Sequence, residues 1–258
     1  MNEPLVSVII PAYNSERYLT QCLNSVIAQT YQNWEAIIVC SPSTDRTINI
    51  ACNYTDPRVE IIIEGTKTNC ATARNTGLES CHGKYITFLD SDDWWCEDRL
   101  QELVWVMESD PTIQWAVHHM IMHQGDITWP STEHPREKHR IEGINAMLFR
   151  RELLYKIRRK WGYVFNEKMN SVDDADLVIR MRDEPSIVIE KYLYHYRYNP
   201  DGLTSGTSQY GMFYIIMGIA TRNKCYDIIP VYVKDIVIIT FNNLFGCDIV
   251  KWKRSVLK

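Results

Sequence analysis

Tyr85-Ile86-Thr87-Phe88-Leu89-Asp90-Ser91-Asp92-Asp93 decides how this chain is read. A short apolar run passes without a break into three carboxylates and a serine. Such a run, bounded by turn residues, marks a strand buried on both faces. Upstream, Val59 to Ile63 is a similar run, and Ala71 to Ser80 has a helical pattern that ends near Gly83. Before it, Ala36 to Cys40 leads into the polar turn Ser41-Pro42-Ser43-Thr44-Asp45 and a short helix over Thr47 to Tyr54. The first run, Leu5 to Ile10, is stopped by Pro11, and Asn14 or Ser15 offers an N-cap. Tyr18, Leu19, Cys22, Leu23, Val26 and Ile27 then repeat at helical spacing. Downstream of the acids, Glu97 to Ser109 reads as a helix.

Strands alternating with helices at this pace predict an α/β fold with a parallel sheet and helices on both faces. Ligands of such sheets bind beyond the carboxyl ends of the strands. Three polar segments fall there: Pro11 to Ser15, Ser41 to Asp45, and Asp90 to Asp93. Neither G-x-G-x-x-G nor G-x-x-x-x-G-K-[ST] occurs, so an ordinary dinucleotide site or a P-loop has no support.

Past residue 110 the alternation stops. Ile113 to His123 reads as a strand, Gln124-Gly125-Asp126 as a turn, and Trp129 to His139 as a mobile loop. Helical pattern resumes over Gly143 to Ile157 and again after Asp173-Asp174, followed by the aromatic run Tyr192 to Tyr198. The end of the chain, Tyr210 to Lys258, is amphipathic and carries Lys251, Lys253, Arg254 and Lys258.

The 258 residues hold 28 Lys+Arg against 32 Asp+Glu, a net charge of −4, which argues against a broad nucleic-acid footprint. A 45% hydrophobic share rich in aromatic residues excludes disorder as the main state. Eight scattered cysteines without a C-x-x-C pair suit reduced, buried thiols. No apolar run has the length of a membrane span, so the expected location is cytoplasmic, or peripheral on the inner face of a membrane. The basic C-terminal segment would make that contact.

Asp90-Ser91-Asp92 offers hard oxygen ligands suited to Mg²⁺ or Mn²⁺. The same tripeptide also suits an ordinary turn that caps the next helix. His118, His119 and His123 lack a carboxylate at ligand spacing in sequence and are expected to be structural or acceptor-facing. Trp94, Trp95 and Trp129 could stack on sugar rings or fill the core.

Three blocks together resemble the family 2 glycosyltransferases of GT-A fold: Val6 to Asn14 with Tyr18-Leu19, Ala73-Arg74-Asn75-Thr76-Gly77-Leu78, and Gly83 to Trp94. The resemblance is strong over residues 5 to 100 and traceable to about 205. It implies a Rossmann-like, mostly parallel sheet and inverting transfer of a sugar from a nucleotide-diphosphate donor, with a UDP-sugar as the default. The acceptor would be a glycan or a lipid-linked glycan, as in polysaccharide biosynthesis. By the same resemblance, Asp92 is the main metal ligand, with Asp90 in the ribose or metal shell. His195 is a further candidate for the metal or, with Arg197, the diphosphate, although an isolated histidine is first expected to be structural. Pro11 and Tyr13 line the base and ribose pocket, and Ser41, Arg74, Ser91 and Arg197 complete the donor site. Asp174 is the catalytic base, with Asp173 as its neighbour and runner-up. Residues 1–110 form the nucleotide-sugar half, 111–205 the acceptor and base half, and 206–258 a C-terminal helical extension.

One block departs from the family. Where it has Asp-Asp-Gly-Ser-x-Asp after the second strand, this chain has Cys40-Ser41-Pro42-Ser43-Thr44-Asp45. Ser41 cannot make the charge-assisted bond that a carboxylate makes to a base N–H, so the base contact is expected to be weaker or differently specific. The departure keeps open a degenerate relative that binds a nucleotide or partner without turnover. A sugar nucleotidyltransferase is the other alternative, although Pro11-Ala12-Tyr13-Asn14 lacks the Gly-rich basic loop that class needs.

Overall fold

The computed structural model describes residues 3–131, 143–169 and 173–199. Four strands, β1 (Val6–Ala12), β2 (Trp34–Cys40), β3 (Val59–Ile63) and β4 (Tyr85–Phe88), alternate with α1 (Leu19–Ile27), α2 (Thr47–Cys52) and α3 (Cys70–Ser80). Then come β5 (Trp94–Trp95), α4 (Arg99–Ser109), β6 (Trp115–Gln124), β7 (Ile127–Pro130), β8 (Met147–Arg150), α5 (Arg151–Trp161), α6 (Asp173–Met181) and β9 (Ser186–Arg197). These form one nine-stranded sheet in the order β3-β2-β1-β4-β8-β6-β9-β5, with β7 paired to β6.

The sheet has two characters. β3, β2, β1 and β4 are mutually parallel, as the alternation predicts. Beyond β4 the directions mix: β8 runs antiparallel to β4 and β6, while β9 runs parallel to β6. Parallel neighbours end on the same side, so β1, β2, β3 and β4 deliver their polar tails to one edge of the sheet.

Pro11 does not stop β1, which continues to Ala12 in register with Cys40. Leu89 N–H donates to the Ile9 carbonyl and Ser41 N–H to the Ala12 carbonyl, so alternate residues of β1 face β4 and β2. Pro11 faces the β4 side, where pairing has already ended at Phe88, and its missing N–H therefore costs no ladder bond. Neither Asn14 nor Ser15 caps α1 through its side chain; the Ser15 carbonyl accepts from Tyr18 and Leu19 N–H instead.

The helical pattern over 143–157 resolves into a 3-10 turn at Ile144–Ala146, strand β8, and helix α5 from Arg151. Met147, Leu148 and Phe149 are essentially fully buried between β4 and β6. A continuously apolar run fits a central strand as well as a helix, and here sheet pairing decides. Of the expected loop, Trp129 and Pro130 belong to β7, and 132–142 lie outside the described residues. The C-terminal extension over 206–258, with its basic residues, also lies outside them.

Two glycines fix how closely α3 and its exit approach the sheet. A Cβ at Gly77 would stand 2.5 Å from Ile9 Cγ2, and one at Gly83 would stand 2.6 Å from the Ser7 backbone nitrogen. Among the described residues no helix is long and apolar enough to cross a membrane.

Candidate active site

The edge where the parallel strands end carries the candidate site. Tyr13, just past β1, is 40% exposed, and its hydroxyl accepts from Lys67 Nζ at 2.8 Å. The same ammonium lies 4.2 Å from the centre of the Tyr13 ring, which holds an aromatic face at the rim. Pro11 is partly exposed on the same strand end. The neighbouring loops are cross-tied: Asn14 Oδ1 accepts from Thr44 N–H at 2.9 Å, and Asn14 N–H donates to Ser43 Oγ at 3.1 Å.

Asp45, the one acid of the 41–45 turn, serves that scaffold. It accepts from Thr47 N–H at 2.9 Å and Glu16 N–H at 3.0 Å. Burial alone would raise its pKa, but these bonds and the Thr47 hydroxyl hold it below the usual value. Ser41 is buried and donates to Glu64 Oε2 at 2.6 Å.

After β4 the three acids and the serine take different roles. Asp90 has both oxygens engaged: Oδ1 accepts from Arg74 at 3.0 Å, and Oδ2 from Asn145 Nδ2 at 2.6 Å. Ser91 turns inward, with its hydroxyl 2.6 Å from that of Ser15. Asp93 is buried, accepts from Tyr194 OH at 2.7 Å and Arg197 N–H at 2.6 Å, and so pins β9 to this loop. Burial, then the charges of Asp92 and Asp90, push its carboxyl well above the normal range.

Asp92 differs from its neighbours. Its carboxylate accepts from the Asn199 amide at 3.2 Å and forms no ion pair among the described residues. Burial and the adjacent Asp90 raise its pKa. A half-buried carboxylate with no ion pair among the described residues, beside a second carboxylate, fits a divalent ion. Among the described residues no three His, Cys, Asp or Glu side chains converge as a complete metal cage.

Arg197 lies along this acidic loop. Its Nε donates to the Asp92 carbonyl at 2.9 Å, and the guanidinium sits 4.4 Å from the Tyr18 ring centre and 4.6 Å from that of Trp94. His195 lies away from the acids. Its Nδ1 pairs with His123 at 2.9 Å, its Nε2 lies 3.4 Å from Cys96 Sγ, and its ring stacks on Trp94 at 4.8 Å. Burial, then His123, lower its pKa to about 4, so the ring is neutral at pH 7. With both nitrogens engaged inside the protein, this arrangement gives no support to a metal-ligand role.

Asp173 and Asp174 begin α6, where the helix dipole favours acids. Asp173 is buried and clamped by Arg74 Nη1 at 2.6 Å, so one guanidinium joins α6 to Asp90. Asp174 forms no ion pair among the described residues and accepts from Ala175 N–H at 2.8 Å. Burial, then the charge of Asp173, raise its pKa.

The histidines of β6 disperse. His118 is buried against Arg99 Nε at 2.8 Å, His119 meets Glu190 at 2.8 Å, and His123 meets His195. The carboxylate missing from the local sequence thus arrives from β9. Trp95 is buried under the Arg99 guanidinium at 4.1 Å, and Trp94 packs with His195 and Arg197.

Sequence reasoning passed over Glu64, Asp93, Asn145 and Asn199. Asp93 was legible as part of the acidic run; the others carry no local motif, and pairing across the sheet brings them in.

Comparison with known proteins bears on the family and the fold. An uncharacterized glycosyltransferase of Haemophilus influenzae is 47% identical over 104 residues, 40% of this chain and 42% of that protein. A UDP-Glc:alpha-D-GlcNAc-diphosphoundecaprenol beta-1,3-glucosyltransferase, WfgD of Escherichia coli, is 36% identical over 107 residues, covering 42% of each. The chain thus spans less than half the length of these curated relatives. Among solved structures, S. aureus TarS 1–349 in complex with UDP-GlcNAc superposes with a TM-score of 0.69 at 23% identity, over 84% of this chain and 65% of that one. The mannosyltransferase PcManGT from Pyrobaculum calidifontis, in complex with GDP-Man and Mn²⁺, gives a TM-score of 0.63 at 21% identity, over 79% and 60%. At those identities the likeness shows the GT-A fold. The glycosyl transferase family 2 model matches residues 7–166, more than half of the sequence, and the chain belongs to that family.

Proposed function

We propose that the chain transfers a glycosyl group from a nucleoside diphosphate sugar, a UDP-sugar in the first instance, to a hydroxyl of a glycan or lipid-linked acceptor. The reaction is a single displacement with inversion. The acceptor oxygen bonds to the anomeric carbon, the bond to the diphosphate breaks, and the acceptor proton passes to Asp174.

The observation that carries this reading is the asymmetry of the α6 acids. Asp173 is paired with Arg74 at 2.6 Å, whereas Asp174 forms no ion pair among the described residues and has a pKa raised by burial and by Asp173. A carboxylate in that state is the better proton acceptor of the pair. Asp173 is then a positioning residue that fixes α6 against Arg74 and Asp90.

Tyr13 and Pro11 form the wall on which the base rests, and Arg197 meets the diphosphate. Asp92 would hold a Mn²⁺ or Mg²⁺ ion, backed by Asp90, and that ion would offset the charge growing on the leaving diphosphate. The UDP-Glc named for WfgD and the UDP-GlcNAc bound to TarS support a uridine donor, and the Mn²⁺ of PcManGT supports a divalent ion. The diphosphoundecaprenol named for WfgD supports a lipid-linked acceptor, with the chain acting at the cytoplasmic face of a membrane.

The test is calorimetric titration with UDP, GDP and dTDP, each with and without Mn²⁺, on the wild type, Asp92→Ala and Asp174→Asn. Metal-dependent binding that is lost in Asp92→Ala and kept in Asp174→Asn is the expected result. Folded wild-type protein that binds none of the three would remove the donor site.

A further inference from the structure

The missing carboxylate after β2 has a replacement one strand away. β2 and β3 are parallel, with Cys40 beside Ile63, and Glu64 N–H donates to the Cys40 carbonyl at 3.0 Å. Glu64 therefore emerges next to Ser41 at the same sheet edge. Its Oε2 accepts from Ser41 Oγ at 2.6 Å and from the Thr68 hydroxyl, and the two hydroxyls lie 3.1 Å apart. Each hydroxyl has one proton, and both are directed to Glu64.

Three further features suit this carboxylate to a ligand. It forms no ion pair among the described residues. The nearby ammonium, Lys67 Nζ, is placed over Tyr13 instead. Among the described residues Oε1 has only a long contact, 3.5 Å from Thr76 Oγ1, which leaves acceptor capacity in a partly exposed group. Asp45, the acid of the 41–45 turn, is committed to capping its own loop.

Resting on the nucleotide-sugar reading above, we infer that Glu64, held by Ser41 and Thr68, is the acceptor that reads the base and selects one with a ring N–H. Uracil, thymine and guanine present such a donor at the pairing edge. Cytosine and adenine present a ring nitrogen lone pair there, which a carboxylate repels. Ser41 acts as a positioning residue: with its proton given to Glu64, it restrains the carboxylate.

The test measures dissociation constants of UDP, dTDP, GDP, CDP and ADP with Mn²⁺ for the wild type, Glu64→Gln, and the double variant Glu64→Gln with Ser41→Asp. The wild type should prefer UDP to CDP by about tenfold or more, the scale of one charge-assisted hydrogen bond. Glu64→Gln should bring that ratio near one, because a glutamine amide can turn to present either a donor or an acceptor. Ser41→Asp in that background should restore the preference, since it returns a carboxylate to the edge. The dTDP and GDP arms identify which ring N–H donor is accepted.

A wild type that does not discriminate UDP from CDP overturns the inference without any variant. A folded Glu64→Gln protein that keeps the wild-type ratio also overturns it and leaves the donor site intact. Wild-type protein that binds no nucleotide overturns the donor reading itself, and this inference with it.

Discussion

The two halves of the sheet are built by different rules. In β1 to β4 the strands are mutually parallel and joined through helices, with Val6 beside both Trp34 and Tyr85. In the second half the directions mix: Tyr85 meets Arg150 and Trp94 meets His195 in antiparallel pairs, while Trp115 meets Ser186 in a parallel one. The site acids differ in the same way. Asp45, Glu64, Asp90 and Asp93 accept hydrogen bonds that fix them, while among the described residues Asp174 accepts from its helix alone. On the proposed function, the first half supplies a pre-arranged binding edge and the second brings the proposed proton acceptor, Asp174, to it.

The sharpest test of that division is Asp174→Asn. Loss of a general base should lower kcat about a thousandfold. UDP binding should stay within about twofold, because no donor contact is assigned to this residue. A variant that keeps a tenth of wild-type activity would break the assignment. The pH profile refines it. The base must be ionised, and its raised pKa places the acid limb of kcat/KM above the usual carboxylate value near about 4. Activity should fall as pH drops through that raised value. A limb at or below the ordinary value would count against Asp174.

Arg74 ties the two halves together, and Arg74→Met should show it in stability. Removing the cation leaves Asp173 buried and unpaired, a cost of about 3 kcal/mol in urea unfolding. Adding Asp173→Asn should recover part of that loss. A single variant as stable as the wild type would mean that α6 docks without the ion pair.

Gly83→Ala probes the parallel half alone. The new Cβ would press on the Ser7 backbone and the Tyr85 carbonyl, which cannot turn aside. About 2 kcal/mol of destabilisation is expected from overpacking at such a contact. An unchanged melting temperature would show that the β4 entry can shift.

Asp45→Ala is the mildest case. It removes a cap on Thr47 and Glu16 N–H and should cost about 1 kcal/mol. The loss should be present above the normal Asp pKa and vanish in acid, because Asp45 has a lowered pKa and contributes stability only when ionised. A pH-independent difference would argue against the cap.

Much of the first half was legible in the sequence. Short β-branched runs alternating with helical patterns are local signals, and parallel topology then forces Tyr13, Ser41 and Asp90 to one edge. Boundaries slipped where local rules conflict with pairing, as when β1 continued through Pro11 because that side of the strand has no partner. The stretch from Gly143 misled for a related reason. Ile144, Met147 and Leu148 have helical spacing, but burial between two strands on either side outweighs that spacing.

The chemistry divides along the same line. Sequence alone determined the α/β frame, the acidic run Asp90 to Asp93 and the acid pair at 173 and 174, because each is written in contiguous residues. Tertiary structure alone decided which acid of each group is paired. Arg74 reaches Asp173 across ninety-nine positions, Tyr194 reaches Asp93 across 101, and Ser41 meets Glu64 from the adjoining strand. The protonation preference of a carboxylate depends on its burial and on charges and hydrogen bonds within a few ångströms. Those neighbours are set by sheet register, and no local pattern in the chain encodes them.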